Sequence, residues 1–509
     1  MKKQLRKHQK EALEVIKNNN KGIVQLPTGT GKTMIESYSI IDSINELKDN
    51  DFKNSIPVFV ILSPRIMLSN QIYSEVKQFL VSEKIDTQEL IVHSGRTVQE
   101  EYDYTEKLPF REFTNTTSIH QISESYKRAL DEKVPLIIIG TYHSAPRIVQ
   151  SSIPLSMVIC DEAHYLISEQ FNKLVKSNKE KINSRRIYFF TATLKVTDSD
   201  EGMGMNNRNI FGDIIYTKTP LEMIQSGEMI KPRLHLVDEE NNDDVDEISK
   251  DVNAIIESYQ EHRSLLHTAA KLLVVTKGSE HLNSIVKHDR MQQLLRRSPN
   301  LKIFDISSAY APRINGNIVK RDEFLRSLKE LKDHEEAIIF HINILTEGID
   351  VPGITGVMFL NNMKLSKFLQ SLGRSTRLHE NDRKRLYNKE IKWNDHEEFT
   401  KPYAWVIVPT YGDIGEDLKS QISDTIYALR NFGFDAKEDV VIKQKRGQTL
   451  PKPIDTVNEL DTRAKSLFNI AVDVTHEIES KEEAEKLWIK EQNIKKESFN
   501  DLLNVFKNE

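Results

Sequence analysis

The stretch Leu26-Pro27-Thr28-Gly29-Thr30-Gly31-Lys32-Thr33 decides how the N-terminal part of this chain is read. It follows an apolar run, Lys21–Leu26, that suits a buried strand, and it opens the helical stretch Lys32–Leu47. A glycine-bearing turn between strand and helix lets backbone N–H groups face phosphate oxygens, and the helix N-terminus adds partial positive charge. In that setting Thr28, Gly29, Thr30 and Gly31 cradle a polyphosphate, Lys32 reaches its terminal phosphates, and the Thr33 hydroxyl ligates Mg²⁺. One departure is Leu26, which stands where the generic pattern has its first glycine.

Outward from the loop, short apolar runs alternate with longer amphipathic ones. Pro57–Leu62, Pro135–Gly140, Leu155–Cys160 and Arg186–Thr191 read as buried parallel strands, and Ser69–Val81 as a helix between them. The run Met157–Cys160 leads into Asp161-Glu162-Ala163-His164. A carboxylate at the C-terminal end of such a strand is placed to serve a phosphate loop: Asp161 holds the metal and Glu162 orients the attacking water. An Asp-Glu pair alone often only caps a helix, so the upstream loop gives the reading its weight.

This first unit runs to about residue 230, with a polar insertion at about 96–133. A second α/β unit, 231–410, follows Lys231-Pro232, with candidate strands Arg233–Val237, Leu272–Val275, Ala337–His341, Val357–Leu360 and Ala404–Val408. Asp238–Asp251 reads as a solvated acidic loop entering a helix. Residues 411–509 form a small, mainly helical accessory region, with helical periodicity in Gly415–Leu429 and Lys481–Phe506.

The composition is that of a globular protein: 509 residues, 38% hydrophobic and 29% charged. No apolar run approaches the roughly 18 residues a membrane helix needs. Met1-Lys2-Lys3-Gln4-Leu5 opens no secretory leader, and the lone Cys160 excludes an internal disulfide framework, so a reducing, cytoplasmic setting is expected. With 71 basic and 76 acidic residues the net charge of −5 leaves a nucleic-acid partner open, because a local basic groove suffices.

Together the phosphate loop and the Asp161–His164 box resemble a superfamily 2 helicase of the DEAH type. Other motifs follow in that family's order. Leu5–Ala12, with Arg6 and Gln9, resembles its adenine-reading segment. Ser63-Pro64-Arg65 with Ser69-Asn70-Gln71 resembles motif Ia, and Gly140-Thr141-Tyr142 motif Ib. Thr191-Ala192-Thr193 is similar to motif III, and Val274-Val275-Thr276-Lys277 to motif IV. Thr346-Glu347-Gly348-Ile349-Asp350-Val351-Pro352 resembles motif V, and Gln370–Arg377 motif VI. The likeness covers residues 1–410.

The resemblance implies two tandem RecA-like parallel-sheet domains facing an ATP cleft. From it, Arg374 and Arg377 act on the γ-phosphate as arginine fingers, while Gln9, Gly348, Asp350 and Gln370 line the nucleotide. Arg65, Thr141, Thr276 and Thr346 fall on strand phosphates, and His164, Thr191 and Thr193 couple the two sites. His164 in place of Asp, the short Gln segment and the motif V wording point to the DNA-acting branch, with repair, recombination or replication as settings. An RNA helicase, or a restriction-type motor subunit without its own nuclease, is the alternative. Expected cofactors are ATP and Mg²⁺. One chain supplies both halves of the cleft, so a monomer is expected, with a protein partner possible through the C-terminal tail.

Overall fold

A strand without a polar face needs cover on both sides. Val58–Ser63 and Leu136–Thr141 are buried at every position, and that burial sets the first unit's three layers. The computed structural model describes residues 4–47, 55–94, 115–167, 184–196, 204–239, 245–307, 309–342, 351, 353–360, 365–411 and parts of 422–443. The chain divides into the units Met1–Lys218 and Thr219–Glu509.

In the first unit the described strands are β1 (Lys21–Gln25), β2 (Val58–Ser63), β3 (Gln88–Val92), β4 (Asn115–Thr116), β5 (Leu136–Thr141), β6 (Leu155–Cys160), β7 (Ser184–Thr191) and β8 (Ile214–Thr217). Their order is β4-β3-β5-β2-β6-β7-β1-β8, and every pairing is parallel. Successive residues of a strand point to opposite faces. Phe59 and Ile61 of β2 therefore pack with Ile35 of α2 (Lys32–Leu47), Ile72 of α3 (Ile66–Ser82) and Ala12 of α1 (Lys7–Lys17). Val58, Val60 and Leu62 pack the other way, onto Ile122 and Ala129 of α4 (Ile119–Glu132).

That last helix lies within the stretch read as an insertion. Its residues 119–132 cover the sheet as an ordinary crossover helix, while 95–114 fall outside the described residues.

The second unit builds β9 (Pro232–Glu239), β10 (Lys271–Val275), β11 (Leu301–Ile306), β12 (Arg313–Ile314), β13 (Asn317–Ile318), β14 (Glu336–His341), β15 (Gly356–Phe359), β16 (Ala404–Tyr411) and β17 (Val440–Lys443). The order is β13-β12-β11-β14-β10-β15-β16-β9-β17. Only the pairs β11/β12 and β12/β13 are antiparallel. Helix α5 (Glu247–Ser264) lays Val252, Ile255 and Tyr259 on one face against Leu272, Val274 and Phe340. Asp246 caps it, accepting from Ser249 N at 3.1 Å; the helix begins inside the stretch read as a solvated loop, and Asp251 within it is buried. Helices α6 (Leu365–Ser375) and α7 (Glu380–Tyr387) follow β15.

The units divide before the Lys231-Pro232 pair because residues 219–230 are tied to the second one. Met229 pairs with Arg377 in an antiparallel bridge, and Ile230 N donates to Thr376 O at 2.8 Å. From the C-terminal region, β17 joins the second sheet beside β9, and Asp439 just before it meets Lys231 Nζ at 2.6 Å. Ile422, Ile426 and Leu429 of the predicted Gly415–Leu429 helix are buried; Lys481–Phe506 falls outside the described residues. Among the described residues no helix is long and apolar enough to cross a membrane.

Two buried histidines give the second unit a definite acid response. Burial, then the neighbouring charge of His235, pushes His262 down to about 3, and burial, then Arg374, does the same to His341. An unfolded histidine titrates near 6.5, so between about 3 and 6.5 the unfolded chain binds more protons and stability falls as pH falls. Neither ring nitrogen of His341 has a hydrogen-bond partner among the described residues. Below about pH 6.5 each such histidine should remove up to about 1.4 kcal/mol per pH unit. Thermal melts from pH 7 to 5 should show this slope, and His341→Leu should flatten it. Equal slopes in the two proteins would mean that His341 ionises normally.

Candidate active site

The turn after β1 is built by its own residues. Gly29 and Gly31 take φ of +87° and +85°, where L side chains are strained, and Thr30 Oγ1 closes the turn by donating to Pro27 O at 2.8 Å. The loop is strapped to the start of α1. Arg6 Nη2, His8 Nε2 and Gln9 Nε2 all reach Thr30 O, at 2.8, 3.0 and 3.2 Å. Gln9 Oε1 meanwhile accepts Arg6 N at 2.9 Å. A Cβ on Gly31 would lie 2.6 Å from Gln9 Nε2 and 2.7 Å from Arg6 Nη2, so any larger residue would displace these two side chains as well as strain the backbone. The two residues expected at the nucleotide base thus sit directly against the loop expected at its phosphates.

Lys32 is buried at the start of α2, with Nζ 3.4 Å from Leu26 O and 3.6 Å from Glu162 Oε1. Asp161 follows β6, its carbonyl receiving the Tyr142 hydroxyl at 2.5 Å. Glu162 takes φ +49°, a left-handed backbone costing on the order of 1 kcal/mol outside glycine. That turn lets Glu162 N donate to Asp161 Oδ1 at 2.8 Å while the Glu162 side chain meets Lys32. Burial, then the charge of Glu162, pushes Asp161 up to about 7, with Lys32 pulling the other way.

Behind them, Glu36 is fully buried one helical turn beyond Lys32, and burial followed by the Asp161 charge holds its carboxyl well above the usual range. Its place on the Lys32 face of α2 was readable from the four-residue spacing; its burial was not.

This set fits a polyphosphate with a divalent cation. Asp161 and Thr33 offer oxygen donors, and the lone lysine is outnumbered by carboxylates. Among the described residues no three His, Cys, Asp or Glu side chains form a metal cage by themselves. Mg²⁺ commonly takes one or two carboxylates, with phosphate oxygens and waters completing its octahedron.

His164 stands beside Glu162 and starts a chain of hydrogen bonds. His164 Nδ1 lies 3.4 Å from Glu162 Oε2 and 3.1 Å from Thr191 Oγ1. The Thr191 hydroxyl gives its one proton to Thr193 O at 2.8 Å and accepts Thr193 N at 3.2 Å. With its proton spent, Thr191 can only accept from the imidazole, so Nδ1 carries hydrogen. His164 therefore meets Thr191, in the stretch that resembles motif III, within the first unit.

Other expected residues take separate places. Arg65 is exposed at the N-cap of α3, beside a buried Ser63–Ser69 hydroxyl pair at 2.7 Å. Thr141 is buried and donates to Ser144 Oγ at 3.1 Å. Thr276 is fully buried, with its N–H and hydroxyl both on His341 O, at 3.0 and 3.4 Å. Arg374 is buried in the last turn of α6, and Arg377 is half-buried just beyond it. Gln370 lies on the same helix, whereas Thr346, Gly348 and Asp350 fall outside the described residues.

In comparison with known proteins, the DEAD/DEAH box helicase family matches residues 6–201 of this chain, in agreement with the superfamily 2 resemblance. The ATP-dependent helicase Lhr-Core of Saccharolobus solfataricus is 23% identical over 383 residues, 72% of this chain and 39% of that protein. The Type ISP restriction-modification enzyme LlaBIII bound to DNA superposes with a TM-score of 0.65 at 16% identity, over 93% of this chain and 34% of its own. Mss116p bound to single-stranded RNA and AMP-PNP gives 0.50 at 14% identity, over 99% and 93%. These superpositions show the fold: tandem RecA-like α/β domains. The chain spans well under half the length of Lhr-Core and of LlaBIII.

Thr191→Val keeps the side chain's shape and removes its oxygen. It removes the acceptor that Thr191 offers to His164 Nδ1–H and Thr193 N–H, at a cost of about 1–3 kcal/mol. A chemical-denaturation midpoint indistinguishable from wild type would show that the relay is not held as described.

Proposed function

We propose that this chain is an ATP-driven motor on DNA, coupling ATP hydrolysis to movement along DNA or its unwinding, in repair, recombination or replication. The observation that carries the reading is the convergence of Lys32, Asp161 and Glu162, with Glu162 joined through His164 to Thr191 and Thr193. ATP with Mg²⁺ supplies the phosphoryl group and the bridging cation.

The roles follow from position. Lys32 neutralises the terminal phosphates, and Thr33 and Asp161 hold the cation. Glu162 orients water, the strained backbone fixing its direction. The motif VI resemblance assigns Arg374 and Arg377 to the transition-state charge. A carboxylate that senses phosphate and is wired to a strand-end threonine can pass the state of hydrolysis to the sheet edge where Arg65 and Thr141 lie. DNA is favoured over RNA by His164, the short segment around Gln9, and the wording of motif V. The DNA-bound state of the LlaBIII enzyme is compatible with this reading. A restriction or defence motor working with a separate nuclease subunit is a variant of the same activity.

Lys32→Ala should weaken ATP binding and abolish turnover. Glu162→Gln should bind ATP normally and not turn it over; wild-type turnover in that variant would contradict the role given to Glu162. Arg377→Ala should lower turnover by on the order of 10³. The ATPase rate is then compared on duplex, single-stranded and forked DNA and on RNA, with Lys32→Ala as blank. Stimulation by DNA alone supports the proposal, and stimulation by RNA alone replaces DNA with RNA as substrate.

A further inference from the structure

The last turn of a helix leaves carbonyl oxygens without helical partners. At the end of α6 three consecutive carbonyls belong to the segment that bears Arg374 and Arg377, and each is held from outside. Lys401 Nζ donates to Ser375 O at 2.7 Å and to Arg377 O, while Ile230 N takes Thr376 O at 2.8 Å. The third N–H of Lys401 goes to Ile354 O at 3.1 Å, a few residues beyond motif V. Three ammonium donors thus meet three carbonyls, two of them at a helix C-terminus whose partial negative charge favours a cation.

Lys401 is 1% exposed; burial pushes its ammonium down to about 7, with the Asp382 charge pulling the other way, and the three carbonyls around it favour the charged form. Its own backbone is fixed too. Asp382, fully buried in the first turn of α7, accepts Thr400 N at 2.7 Å and Lys401 N at 3.1 Å. A buried lysine is costly unless its donors are met. Here they are met by the backbone that aims motif VI.

We infer that Lys401 is a positioning residue for Arg374 and Arg377, locking the end of α6 to the strand-entry segment at Ile354. The inference rests on motif VI acting in ATP turnover, as proposed above. Lys401 touches no phosphate; it removes the freedom of the backbone from which the two arginines project. Displacement of a catalytic group by about 1 Å can cost on the order of 10²-fold in rate.

The test is a double-mutant cycle on the full chain, using ATP turnover under single-turnover conditions and binding of a fluorescent ATP analogue. The variants are Lys401→Met, Arg377→Ala and the pair. Lys401→Met should lower the rate constant about 10- to 100-fold with analogue affinity unchanged within about twofold. In the Arg377→Ala background it should cost less, because Arg377 can no longer be misplaced and only the part passing through Arg374 remains. The cycle is run in parallel with Lys401→Gln, which keeps two N–H donors, so the comparison stands where the methionine variant does not fold; the glutamine variant should recover part of the rate. Equal losses in both backgrounds, or none in either, overturn the inference while leaving motif VI intact. An unchanged rate in Arg377→Ala alone overturns the reading of motif VI itself, and the inference with it.

Discussion

A sheet whose strands all run one way delivers every strand end to the same edge. That constraint organises the first unit. Lys32 follows β1, Arg65 follows β2, Thr141 ends β5, Asp161 and Glu162 follow β6, and Thr191 ends β7. Residues scattered over more than 150 positions become neighbours because the strands carrying them are parallel and adjacent in the order β5-β2-β6-β7-β1. Burial of the strands on both faces holds that order in place, so the apolar core and the polar edge are two aspects of one arrangement.

At that edge the electrostatics are deliberately unbalanced. One buried ammonium meets Glu162 directly, while burial and mutual repulsion hold the carboxyls of Asp161 and Glu36 above their usual range. A divalent cation beside them would favour their ionised forms. The glycines of the loop and the left-handed Glu162 are backbone costs of the same design, since each brings a group closer than an ordinary turn would.

Much of this was legible in the residues. Strands such as Val58–Ser63 are continuous apolar runs, and the loop and the box after β6 carry fixed spacings, so periodicity and motif sufficed. The grouping of His164 with Thr191 came from the family resemblance, and the hydrogen bond between them is seen only in the structure. Other elements had weaker signals. β3 is short and carries Gln88 and Glu89, which break an apolar run. The hairpin of β12 and β13 does carry a signal, Asn315-Gly316, both at positive φ in the manner of a two-residue turn. Lys401 had none: a lysine in a charged stretch looks solvated, and only tertiary structure shows three carbonyls waiting for it.

The edge strand β17 bears on how this protein can be shortened. It covers the outer rim of β9, and Asp439 ahead of it neutralises Lys231, with Arg233 close by. A version ending near residue 410 would leave that rim as an open row of backbone donors and acceptors, ready to recruit a strand from another molecule. Insoluble material from such a truncation would report a missing hem on the sheet, with the motor motifs themselves undamaged.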